Sequence, residues 1–401
     1  MTIEPRSPPP QFAAKLRRAL GGRSGWAGFA LQILFVAALA WIGYEIVANA
    51  RANLQSQRIT SGFGFLSNTA GFDVSQSLIP YSGSDPYTRV FLVGLLNTLL
   101  VAIIGIFFAT VIGFLVALGR LSPNWLLARI SGAYVELVRN LPLLFQIFFW
   151  YLAVLAALPS PRQSISLFGS FFLSNRGFVI PRPIANAGLE PFALVLLMAI
   201  AAAWLLRNYA RRQLFENGRL ITIWPYVVGL LIGLPLLTAL IFGAPVTFEF
   251  PELKGFNFAG GSRVIPEFVA LTLALSTYTG AFIAEIVRAG IQSVHKGQME
   301  AGSSLGLQRG STLRLIVIPQ ALRVILPPLT NQYLNLTKNS SLAVAIGYPD
   351  LVSVFAGTTL SQTGQAIEII SITMGVYLLL SLVTSAFMSF YGWRISRSLG
   401  A

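Results

Sequence analysis

The chain has 401 residues, 55% hydrophobic and only 10% charged, whereas a soluble domain carries roughly 25% charged residues. Water is therefore not its main solvent, and with no cysteine it can hold no disulfide, thiolate nucleophile or Cys-based metal site. A net charge of +14 would point to nucleic acid in a soluble protein, but in a polytopic membrane protein Lys- and Arg-rich loops on one side of the bilayer account for it.

A helix that crosses about 30 Å of hydrocarbon needs about 20 apolar residues. Taken in chain order, the stretches that meet or approach this are Trp26–Val47, Phe91–Leu118, Tyr134–Leu158, Pro191–Leu206, Trp224–Phe242, Pro266–Ile286 and Ile367–Tyr391. A more polar stretch, Pro327–Gly347, is an eighth candidate. The expected fold is all-α and polytopic, with about eight spans. Pro142 predicts a kink in the third. Residues 49–89 and 159–190, rich in Gly, Pro, Ser and Asn, read as loops. Residues 1–25 and 393–401 read as tails. Ala48-Asn49-Ala50 has a small-x-small cleavage form, but the apolar run before it exceeds the 7–15 residues of a signal core, so the first span is expected to be retained.

Basic residues cluster before Trp26, at Arg120 and Arg129, at Arg207 to Arg219, through 288–323, and at Arg394 and Arg397. With eight spans and the N-terminus inside, every one of these clusters falls on the cytoplasmic side. Both termini are then cytoplasmic.

Residues 294–325 sit between apolar spans yet carry Lys296, Glu300, Arg309, Arg314 and Arg323. The lone histidine, His295, cannot by itself form a multi-histidine metal cluster. Gly306 and Gly310 permit a sharp reversal, and Ser311 is a plausible N-cap for the second of two helical patches. Pro319 and Pro327-Pro328 punctuate the return into the bilayer. By composition alone the segment suits either a rigid projecting helix pair or an amphipathic loop lying on headgroups.

The ordered set Glu300-Ala301-Gly302, Gly306, Ile316-x-Ile318-Pro319 resembles the EAA loop of ABC importer permeases, with Gly302 in place of the second alanine and Ile318 in place of a leucine. GLLNTLLVAIIG (94–105), YVELVRNLPLLFQIFFWY (134–151), AFIAEIVRAGIQSVHKGQMEAG (281–302) and LPPLTNQYLNLTKNSSLA (326–343) resemble the polar amino acid branch of that family. The resemblance covers about 90–392, interrupted near 160–262 by an insert with two extra spans and preceded by an extra span at 26–48. That arrangement resembles the larger permease subunit of general L-amino-acid importers.

The resemblance implies a type I importer permease in a Gram-negative inner membrane. Its implied partners are a second, homologous permease, two copies of an ABC ATPase and a periplasmic amino-acid-binding protein. The EAA-like residues would couple to the ATPase. No GxxxxGK[ST] pattern occurs, so ATP and Mg are expected on that partner, with no cofactor bound and no enzymatic step on this chain. An ion-coupled secondary transporter and a non-transporting membrane scaffold are the alternatives.

Two Glu-x-x-Arg pairs, Glu136 with Arg139 and Glu285 with Arg288, have the i, i+3 spacing that lets each close on one helix face. They are either interfacial ion pairs or an inner gate. Asn331, Asn335 and Lys338 recur at i, i+4, i+7 and form one polar stripe. Thr272, Ser276 and Thr279 form another on the preceding span. A lysine at mid-membrane costs roughly 2.5–3.5 kcal/mol on insertion scales and normally faces a cavity or partner. These residues are candidates for the substrate pathway, where Lys338 could meet an amino acid carboxylate, or for polar contacts between helices.

Overall fold

The computed structural model describes residues 25–56 and 62–398. The first 24 residues of the predicted N-terminal tail and the final 399–401 of the C-terminal one lie outside the described residues. Eleven helical elements dominate them: α1 (Gly25–Ser56), α2 (Tyr87–Arg120), α3 (Trp125–Asn140), α4 (Leu143–Leu155), α5 (Leu189–Asn217), α6 (Trp224–Phe242), α7 (Pro266–Gln292), α8 (Lys296–Ser304), α9 (Arg309–Ile346), α10 (Val352–Thr359, continuing through Leu360–Thr363) and α11 (Ala366–Ser398). Among the described residues seven helices are long and apolar enough to cross a membrane, or eight if α3 and α4 count as one.

The bundle is organised around α2 and α7, which run parallel. Gly105 faces Ser276, Gly113 faces Gly280 and Ile283, and Arg120 meets Glu285. The buried face of α2 reads Gly94, Thr98, Ala102, Gly105, Ala109, Gly113, Ala117, close to every fourth residue. With no apolar drive to separate lipid from helix, small residues at this spacing let two backbones approach and gain dispersion contacts. A Cβ added at Gly113 would stand 2.5 Å from Ile283 Cγ2 and 3.0 Å from the Gly280 carbonyl oxygen. α9 crosses the same pair in the opposite sense, with Leu336 over Gly105 and Ile325 over Gly290.

The third predicted span, Tyr134–Leu158, is not one straight helix. It breaks at Leu141-Pro142 into α3 and α4, bent by 109°. Proline cannot donate its backbone N–H and disfavours helix in the residue before it. The freed acceptors are satisfied by the buried Gln146, whose amide donates to the carbonyls of Val138 (2.9 Å) and Leu141 (3.1 Å). The kink predicted at Pro142 is thus present, and larger than a kink.

The eighth candidate also needs correction. It does not begin at Pro327 but continues unbroken from Arg309 through Pro327-Pro328 to Ile346. The turn before Ile318-Pro319 widens to a π-helix over Leu313–Val317, where Pro319 has no N–H to give to the residue four before it.

The stretch 159–190 expected to be a loop before α5, and the segment between α6 and α7, carry short strands: β1 (Ile165–Leu167), β2 (Phe171–Ser174), β3 (Gly177–Ile180), β4 (Arg182–Ala185), β5 (Val246–Glu249), β6 (Glu252–Lys254), β7 (Asn257–Ala259) and β8 (Ser262–Val264). They pair antiparallel as β1-β2-β3-β8, β4-β5 and β6-β7. Residues before α5 thus pair with residues after α6, in β3–β8 and β4–β5, and cross-link the two ends of the insert. At that same end of the bundle, residues 62–86 fold over α2 and α10, with Phe65 stacked against Phe355 and edged by Tyr87. The opposite end gathers Arg120, Arg288, the α8 hairpin and the basic C-terminus of α11. We call it the basic end.

Candidate functional site

At the basic end, α8 and the first turns of α9 form the projecting helix pair. His295 caps α8 by accepting the Gly297 N–H at Nδ1 (3.1 Å). The helix ends in a Schellman motif: the Leu307 N–H bonds the Gly302 carbonyl and the Gly306 N–H bonds the Ser303 carbonyl, each at 3.0 Å. Gly306 supplies the left-handed residue this needs, at φ 75°. Gly310 is helical, and the N-cap of the second helix is Gln308 rather than Ser311.

Gly302 is buried against Thr312, where a Cβ would lie 2.5 Å from Cγ2 and 2.8 Å from Oγ1. The departure from alanine therefore lets the two legs close. Gln320 donates to Gln298 across the pair (3.3 Å). Glu300 and Ala301 are exposed, Ile316 and Pro319 are half-buried, and Ile318 is exposed. Leu305 at the tip and Leu315 on the second leg are also largely exposed, giving the hairpin apolar side chains in the open beside the Glu300 carboxylate.

One turn inward, Glu285 is held from two sides. Arg288 on its own helix bonds it through Nε and Nη2, and Arg120 at the end of α2 reaches its other face. The Glu285–Arg288 pair was readable from spacing; Arg120, which ties a second helix to the same carboxylate, was not. Glu136 and Arg139 do not pair. Both are exposed, and the Arg139 guanidinium sits 5.0 Å from the centre of the Phe282 ring. Of the two pairs expected as interfacial ion pairs or an inner gate, one is an ionic clamp, while in the other Arg139 makes a cation–π contact and Glu136 makes no ion pair among the described residues.

The two polar stripes are likewise separate. Thr272, Ser276 and Thr279 are buried on α7, and Ser276 donates to the Gly105 carbonyl of α2 (3.4 Å). That is an interhelical contact. Asn331, Asn335 and Lys338 do lie together, on the exposed face of α9. Lys338 edges a hollow of about 480 Å³ shared with Ser341 and with Thr373, Tyr377 and Ser381. No carboxylate lies within ion-pair distance of it among the described residues.

The residues 109–397 match the family of binding-protein-dependent transport system inner membrane components. YhdX of Escherichia coli strain K12, which bears the name of an amino-acid ABC transporter permease protein, is 55% identical over 91% of this chain and 93% of its own. The general L-amino acid transport system permease protein AapQ of Rhizobium johnstonii is 51% identical over 91% of each chain. BztB of Rhodobacter capsulatus, a glutamate/glutamine/aspartate/asparagine transport system permease protein, is 41% identical over 90% of this chain and 91% of its own. Among solved structures, an amino acid ABC transporter with histidines aligns at TM-score 0.45 and 22% identity, over 77% of this chain and 95% of that one.

Proposed function

The chain belongs to the family of binding-protein-dependent transport system inner membrane components, and from that premise we propose that it imports amino acids with a sister permease, driven by a separate ATPase. It is a multi-pass inner-membrane permease subunit and is not itself catalytic. In the proposed assembly two ATPase copies sit at the basic end, which faces the cytoplasm, along with both termini. A periplasmic amino-acid-binding protein delivers cargo at the strand-bearing end of a Gram-negative inner membrane. ATP and Mg stay on the ATPase.

The observation that carries this reading is the α8–α9 hairpin. It presents Glu300 and exposed leucines on a rigid turn, and its second leg is the spanning helix α9 itself. A partner that grips the hairpin therefore grips a span. The Glu285 clamp ties α2 to α7 beside it and suits an inner closure that holds while the outer end is open. Cargo with a carboxylate and an ammonium fits Lys338 among Asn331, Asn335 and the hydroxyls of the adjoining hollow. The insert 160–262 and the extra span near 26–48 lie outside this working core.

The test is reconstitution with ATPase and binding protein in liposomes. Glu300→Lys should insert and assemble normally but lose substrate-stimulated ATP hydrolysis and uptake. Uptake that continues in the variant, or that survives without ATPase and collapses with the ion gradient, would overturn the proposal in favour of a secondary transporter.

A further inference from the structure

A hollow with a clear chemical asymmetry lies away from the working core, between α5 and α6 of the insert. It has a volume of about 500 Å³ and is walled by Ala203 and Trp204 on α5, by Ile223 at the N-cap of α6 and by Trp224 and Leu231 on α6, with Arg207 among its lining residues. That falls within the roughly 300–1,000 Å³ of sites that hold small molecules. We infer that this groove binds an anionic phospholipid, one acyl chain lying between the tryptophans and the headgroup phosphate held by Arg207.

The placement follows from the hairpin. Gly188 and Gly243 close α5 against α6 at the strand-bearing end, so Arg207 and Trp224 stand toward the basic end, near the level where a spanning segment emerges. Ala203, Arg207 and Arg211 fall at i, i+4, i+8, and so line one face of α5. The alanine opens the space that the arginine overlooks. Arg212 and Arg219 follow, with Glu216 as the sole acid between 207 and 224. None of these arginines makes an ion pair among the described residues.

A guanidinium matches a phosphate through two parallel hydrogen bonds. Basic pockets between spanning helices are where headgroup phosphates bind, and tryptophans favour the same interfacial level. The N-terminus of the 19-residue α6, which no side chain caps, adds its dipole to the same region. A sister subunit packed into this groove would have to neutralise the unpaired arginines, whereas an anionic lipid brings its own counter-charge.

The complete importer, purified with its partners, can be titrated with phosphatidylglycerol and with phosphatidylcholine of the same chains, counting retained lipids by native mass spectrometry. The first phosphatidylglycerol should bind about tenfold more tightly than phosphatidylcholine. Arg207→Gln combined with Arg211→Gln should erase most of that preference, Arg207→Lys should keep part of it, and inorganic phosphate should not compete. In parallel, brominated phosphatidylglycerol should quench tryptophan fluorescence more than brominated phosphatidylcholine. That difference should vanish in Trp204→Phe with Trp224→Phe. Equal binding of the two lipids, an unchanged preference in the double arginine variant, or competition by free phosphate would overturn the inference.

Discussion

The α2–α7 pair and the α5–α6 hairpin are both made of apolar spanning helices, yet the chain treats them in opposite ways. Along α2 and α7 the seam is built of glycine, alanine and serine, with backbones near contact and an ionic clamp at one end. On α5 and α6 most large side chains are exposed, and only Ala199, Pro235 and Thr238 are buried. Hydropathy is the same in kind on both. What differs is whether small residues recur at helix spacing. The comparison teaches that in lipid, apolarity places a helix in the bilayer while the pattern of small residues decides what it packs against.

The comparison breaks most sharply at Gly113. Gly113→Leu should prevent assembly outright, and even Gly113→Ala should cost about 1–3 kcal/mol by overpacking against Ile283 and the Gly280 carbonyl. Thermal melting of the purified assembly reads this, and a wild-type melting temperature in the leucine variant would refute the seam. Next in size is Glu285→Gln, which leaves Arg120 and Arg288 without their shared carboxylate. The clamp is about a quarter exposed, so the loss should be about 1–2 kcal/mol rather than the 3–5 of a fully buried pair. Glu136→Gln, with no ion pair to lose, should fall within about 0.5 kcal/mol of wild type. Equal effects of the two substitutions would show that the clamp contributes nothing.

A subtler test uses the buried Asp350 in the turn between α9 and α10. Its Oδ1 accepts the Ser353 N–H (2.8 Å), and the Tyr377 hydroxyl faces the same carboxyl. Burial pushes its carboxyl up from 3.8 to about 7, against the backbone hydrogen bonds from Ser353 and Val352. The folded value lies above the unfolded one, so this group's contribution to stability is fully present below pH 3.8. It is lost as pH rises through about 7. Asp350→Asn keeps the acceptor and removes the titration. The wild type should therefore lose stability relative to the variant between pH 4 and 7.5, by a few kcal/mol at most. A difference that does not change with pH would refute it. Smallest of all, Leu197→Ala on the open face of α5 should leave melting within about 0.5 kcal/mol.

Much of this was legible in the chain, for reasons that individual residues make plain. Spans, the Pro142 break and the Gly306 reversal are local events written in consecutive residues. The strands were missed because runs of three or four residues such as Ile165–Leu167 are too short to show a period. Their pairing across the whole insert, Arg182 with Glu249 for instance, has no local trace. Arg120 lies 165 positions from Glu285, so no spacing rule could join them. Ser276 carries the same composition whether it faces cargo or the Gly105 carbonyl. Only the packing of α2 decides that.

The continuity of α9 has a mechanical consequence. Its 38 residues make a pushrod about 57 Å long, continuous from the hairpin to the opposite end of the bundle through its π-helical turn at Leu313–Val317 and through Pro327-Pro328. A tilt of about five degrees at the Arg309 end swings the Ile346 end by about 5 Å, one helical turn's pitch. The elbow between α3 and α4 has no such reach, since any force along α3 is spent turning the corner at Pro142. Motion delivered at the basic end therefore arrives at the opposite face chiefly along one rod.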